Sequence, residues 1–141
     1  DVMVTDGGKF LLPEHDYTVS YSSNTKIGVG KITISFMGNY QGTITKTFTI
    51  YPAKQEIQSL QTRYKGFFID FAQKGSATGY ELQYSTRSDF AGAKTLIISS
   101  NKTDKKTVSN LTAGKKYYVR VQAVSGKTTG AYSVVKNVKV K

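Results

Sequence analysis

Apolar residues recur at every second position through most of this chain, and no window of helical length repeats them every three to four. Period-two alternation sends one face of an extended strand into a core and the other into water. Tyr17, Val19 and Tyr21 share one parity, with Thr18 and Ser20 between them. Ile32, Ile34 and Phe36 alternate with Lys31, Thr33 and Ser35, and Ile44, Phe48 and Ile50 alternate with Thr43, Thr45, Thr47 and Thr49. The pattern returns in Phe67, Ile69 and Phe71, in Tyr80, Leu82 and Tyr84, in Tyr117, Val119, Val121 and Ala123, and in Val138 and Val140. Lys94 to Ser99 and Thr107–Val108 read as two more strands. Turn chemistry separates these runs at Asp6-Gly7-Gly8-Lys9, Ser22-Ser23-Asn24, Gly38 to Gly42, Gly75 to Gly79 and Ser125 to Gly130. Short strands at regular spacing predict an all-β chain built of antiparallel β-sandwiches.

Charge divides the chain where proline does. Residues 1–51 carry four lysines against four acids. Residues 52–141 carry sixteen Lys and Arg against five acids, which is the entire net charge of +11. The step falls at Tyr51-Pro52, and a proline disfavours a central strand running through it. Two tandem domains are therefore expected, 1–51 and 52–141, joined too closely to swing on a long tether.

The residue inventory excludes much chemistry. With no Cys there is no disulfide, thiolate zinc site or cysteine nucleophile. No apolar run approaches the ~18 residues of a membrane helix, and no signal peptide is expected. His15 is the sole histidine and stands between Glu14 and Asp16; on a strand these neighbours point to opposite faces and would converge poorly on a metal. Asp70 and Glu81 fall on the outward parity of their strands, and Asp89 lies near one, so paired charges are expected and not an acid–base dyad. A serine nucleophile in residues 52–141 would lack a histidine in its own domain. Lys46 shares the apolar parity of Ile44 and Phe48 and is the one candidate for a lysine–asparagine isopeptide bond, although an edge-guarding lysine explains it better. No catalytic, metal or cofactor residue is assigned.

Two stretches resemble known families. Gly79-Tyr80-Glu81-Leu82-Gln83-Tyr84-Ser85 and the run from Leu111-Thr112-Ala113-Gly114 through Tyr117 to Ala123 are similar to the third strand and to the turn and sixth strand of a fibronectin type III domain. The resemblance puts Tyr117 at that family's tyrosine corner, a buried ring whose hydroxyl bonds upstream backbone, and puts Phe71 where the family usually has tryptophan. The family's integrin-binding Arg-Gly-Asp is missing; Ser125 to Gly130 stand there. Asp16-Tyr17-Thr18-Val19-Ser20-Tyr21, Asn24, Gly28, Gly38-Asn39-Tyr40-Gln41-Gly42-Thr43 and Phe48-Thr49-Ile50 resemble a bacterial cell-surface immunoglobulin-like repeat lacking its first strand.

These resemblances imply a non-catalytic spacer or adhesion region of a larger secreted or cell-surface protein, Gram-positive in origin. The alternative they leave open is an accessory or carbohydrate-binding module of an exported hydrolase, for which Tyr118 and Tyr132 are thin aromatic support. A candidate basic surface is formed by Lys102, Lys105, Lys106, Lys115, Lys116 and Arg120, with Lys136, Lys139 and Lys141 as a further cluster. Its expected partners are an anionic cell-wall polymer, a glycan or a host protein, and no specific nucleic acid. A sandwich short of a strand has an open edge, so a strand-mediated dimer through the first domain, or a loose first domain, is also expected.

Overall fold

The computed structural model describes residues 2–141. It is all-β, and its chain divides into two compact units, Asp1–Ile50 and Tyr51–Lys141.

In the first unit, β1 (Thr5–Asp6) and β2 (Lys9–Phe10) form a hairpin. Gly7 and Gly8 both have positive φ, 52° and 86°, which a two-residue turn of the tight hairpin type requires at both positions. Three longer strands, β3 (Tyr17–Ser22), β4 (Gly28–Phe36) and β5 (Thr43–Ile50), make an antiparallel sheet in chain order. The register aligns Val19 with Ile34 and Ile44, and Tyr21 with Ile32 and Lys46, so the apolar parities share one face. Only one corner of that face is covered. Leu11, Tyr17 and Ile34 are buried there, with Val2, Val4, Val19, Phe36 and Tyr40 packed around them. The expected inward face of β5 is corrected by the structure: Ile44 and Phe48 remain 43% and 37% exposed, and Lys46 is exposed as well. From the N-terminal segment, Val2, Val4 and Leu11 pack at this Tyr17–Ile34 corner. Phe48 instead lays its ring across Gly30 on the neighbouring strand, where a Cβ would stand 2.5 Å from the ring. That is an aromatic filling the gap a strand glycine leaves.

The second unit contains β6 (Ile57–Arg63), β7 (Gly66–Phe71), β8 (Gly79–Ser85), β9 (Lys94–Ile98), β10 (Lys105–Val108), β11 (Lys116–Ser125), β12 (Thr128–Thr129) and β13 (Lys136–Lys139). One sheet runs β10-β7-β6; the other runs β9-β8-β11, with β12 and β13 both pairing along β11. Their inner faces meet in a core in which Phe67, Ile69, Phe71, Leu82, Val119, Val121 and Ala123 are wholly buried. Phe71 packs edge-on to Tyr80 at 4.9 Å between centroids, and Phe67 edge-on to Tyr84 at 5.7 Å. These are the favoured geometries of aromatic pairs. Phe71 thus fills the place where the resemblance led us to look for a tryptophan.

Strand β6 is not among the strands read from sequence. A register shift between Ile57 and Ser59 breaks its alternation, so buried Ile57 and half-buried Leu60 fall on opposite parities. The turn at Arg63–Gly66, the Thr86–Ala93 loop, the Asn110–Lys115 turn and the last residues of β13 lie together at one end of this sandwich. The Ala72–Thr78 loop and the Asn101–Asp104 turn occupy the other end, joined by Tyr80, whose hydroxyl donates to Asn101 O and accepts from Lys74 N–H.

Candidate functional site

The β11 strand carries the side chains on which the sequence placed most weight. Its inward Tyr117 is buried, and the hydroxyl accepts a hydrogen bond from the Thr112 N–H at 3.2 Å. That bond ties the 110–115 turn to the core and has the geometry of a tyrosine corner.

Arg120, on the outward parity of the same strand, is not a free cation. Its guanidinium lies 4.1 Å from the Phe90 ring centroid and 4.0 Å from that of Tyr132. In the plane left between the rings, Nε and Nη2 both donate to Gln83 Oε1, at 2.9 and 2.7 Å. Gln83 is its register partner on β8, so the sheet itself aligns the amide with the guanidinium. Glu81 accepts from Gln122 Nε2 at 2.6 Å two residues along the same pairing. Burial raises the Tyr132 phenol above its ordinary pKa, and nearby Glu81 adds to this while Arg120 opposes it. Arg120 therefore clasps the 86–93 loop and the 130–135 segment to the sheet, and it offers no exposed charge for a ligand.

The structure does not gather the expected basic residues. Lys102, Lys105 and Lys106 stand at one end of the sandwich, where Lys105 is 4.0 Å from Asp70 and Lys102 O accepts from Gln73. Lys115 and Lys116 stand at the opposite end. Lys139 is the register partner of Lys116, and Lys141 exchanges backbone hydrogen bonds with Arg63 and Lys65. Lys136 lies between, its ammonium on Gln58 O. The six residues taken as one surface thus fall into two opposite groups and one structural clasp.

The other candidates resolve in the same way. His15 lies in a turn and not on a strand, so its Nδ1 does reach Asp16 Oδ1, at 2.8 Å. Asp16 also accepts from Leu12 N–H, and with His15 this holds its carboxyl below the usual range. No group of three metal-ligating side chains occurs among the described residues. Asp70 on β7 and Glu81 on β8 belong to different sheets. Asp89 is claimed by Arg87 through a two-pronged contact, Nε to Oδ1 at 3.0 Å and Nη2 to Oδ2, and by the Ala91 N–H; its pKa falls to about 2. Exposed Lys46 lacks the buried setting that an isopeptide bond needs. Tyr118 is half-buried and Tyr132 is stacked, so they form no planar row of free rings. Phe90 is the contact of the Arg120 cluster that the sequence does not announce. It is buried at φ 60° in a loop, outside any alternating run, and no local pattern marks it.

Comparison with known proteins supports this architecture. Residues 70–139 match the family model of the fibronectin type III domain. The chain is similar in structure to the FN1–FN3 domains of chicken CNTN1, with a TM-score of 0.57, 16% identity, 84% of this chain and 45% of that one covered. It is also similar to a two-domain fibronectin type III segment of chicken tenascin, with a TM-score of 0.62, 15% identity, and 79% and 64% covered. The chain thus spans about half to two thirds of the lengths it matches. No curated protein matches it.

Proposed function

From a second unit that is a fibronectin type III β-sandwich, we propose that the chain is a non-catalytic spacer and adhesion region of a larger protein exposed outside the cell. Fibronectin type III domains typically serve as structural or adhesion modules, and fold alone does not assign more. The observation that carries the reading is how the polar groups of this unit are used. Arg120, Gln83, Glu81, Gln122, Arg87 and Asp89 bond to one another, and Tyr80 and Tyr117 bond to backbone. Their contacts fasten loops to sheets. The immunoglobulin-like character of residues 1–51 and a Gram-positive wall setting belong to the same proposal, and they rest on the aromatic and glycine spacing from Asp16 to Ile50. Antibodies to residues 1–141 should label intact cells of the source organism, and removing the segment should reduce cell attachment. Labelling only after permeabilisation would overturn the extracellular reading. Unchanged attachment, with loss of turnover on an insoluble polysaccharide, would replace adhesion by the role of a hydrolase accessory.

A further inference from the structure

The strands of the second unit spread its lysines over both ends but gather four of its five acids into one half. Arg63, Lys65, Lys94, Lys115, Lys116, Lys139 and Lys141 are all exposed and all fall at the end where β6, β8 and β13 finish and β9 and β11 begin. The one acid at this end, Asp89, is held by Arg87. Glu56, Asp70, Glu81 and Asp104 stand in the opposite half, where Asp70 faces Lys105. Lys116 and Lys139 are direct cross-strand partners with their side chains on the same face. Like charges so placed weaken a sheet, and an anion between them removes the repulsion.

A cleft of about 230 Å³ opens in the middle of this end. Thr86, Asn110 and Thr112 give it hydroxyl and amide groups, and Lys94 stands at its wall. Tyr64, 79% exposed at the tip of the β6–β7 turn, presents a flat ring between Arg63 and Lys65, whose ammonium lies 5.6 Å from that ring.

We propose that this end of the second unit binds a linear polysaccharide bearing sulfate or phosphate groups. The lysines meet the anionic groups, the cleft takes the polar edge of a sugar unit, and the Tyr64 ring takes an apolar sugar face. A lipid surface fits less well, because Tyr64 is the one large exposed apolar side chain at this end and insertion needs an apolar face. Single-stranded nucleic acid wants several rings along a groove.

The test compares two triple variants that remove the same charge. Lys65→Gln/Lys115→Gln/Lys139→Gln alters the proposed end, and Lys102→Gln/Lys105→Gln/Lys106→Gln alters the other. Binding is measured to heparin, to phosphomannan, to neutral dextran, to single-stranded DNA and to phosphatidylserine vesicles over a salt series. The expected result is binding of heparin, phosphomannan or both, with the polymer bound identifying sulfate or phosphate as the recognised group. The first triple should then lose about tenfold or more in affinity, flatten the salt slope by roughly two to three, and keep its melting temperature. The second triple should match the unaltered protein. Equal losses in both triples would reduce the site to net charge and overturn it. So would binding to neither anionic glycan, or tighter binding to DNA or vesicles. Amide shift changes in the unaltered protein give an independent readout: on glycan addition they should centre on residues 63–65, 94, 110–116 and 139, and shifts centred on 102–106 would also overturn the proposal.

Discussion

At Arg120 a residue that reads as surface charge acts as a fastener. Stacking on two rings is worth about 2 kcal/mol when water is excluded, and charged hydrogen bonds to an amide add a comparable amount. Arg120→Met should therefore lower unfolding stability by about 2–4 kcal/mol in chemical denaturation, and Arg120→Lys should recover little, because an ammonium cannot lie flat between Phe90 and Tyr132. Full recovery by lysine would show that charge alone matters there. The neighbouring loop carries a second test. Asp89 has its pKa depressed from 3.8 to about 2 by Arg87 and the Ala91 N–H. A depressed carboxylate stabilises the fold above its unfolded pKa, and that contribution disappears as pH falls through the folded value. Order in residues 86–93 should thus persist at pH 4 and fade toward pH 2. An NMR titration of Asp89 with a midpoint near 4 would sink the claim. The pair is exposed, so the effect belongs to the loop more than to global stability.

At the level of strands, what could be read from the sequence depended on whether alternation survived. β3, β4, β7, β8 and β11 alternate in sequence, and each appears where Tyr17, Ile34, Phe71, Leu82 and Val121 predict it, although Tyr21 at the end of β3 stays 53% exposed and Gln122 of β11 is buried. The bulge in β6 erased that signal, and β12 is two residues long. In β5 the parity was visible, but burial did not follow from it, because burial depends on what lies over the sheet. Close strand approach is likewise hidden from sequence until the register is known. At Gly79 a Cβ would run into the Ile98 carbonyl, whereas at Gly75 it would meet open space. Gly79→Ala should cost about 1–3 kcal/mol through overpacking. Gly75→Ala should be neutral or stabilise by up to about 1 kcal/mol, through the entropy of the unfolded chain. Equal effects at the two positions would remove the close approach as the cause.

At the level of the whole chain, charge, proline and pattern change together at Tyr51-Pro52, and the two compact units of the structure divide between Ile50 and Tyr51. Which basic residues share a surface was not legible. Lys102 and Lys115 are thirteen positions apart and stand at opposite ends of a sandwich, while Lys65 and Lys141 are hydrogen-bonded neighbours. Only strand order brings distant segments to one end. The same accounting separates the stabilities of the two units. The first buries Leu11, Tyr17 and Ile34 within fifty residues and leaves the apolar face of β5 open. The second encloses seventeen buried apolar residues between two sheets. A fifty-residue unit is marginal even with a full core, and one this thin lacks the burial to offset its chain entropy. Residues 51–141 expressed alone should therefore unfold in one cooperative transition with slow amide exchange along β7, β8 and β11. Residues 1–50 alone should show no such transition, or should self-associate through the open edge of β5, and solution mass distinguishes these two outcomes. A stable monomer of residues 1–50 with protected β5 amides would mean that the exposed face contributes more to folding than its burial suggests.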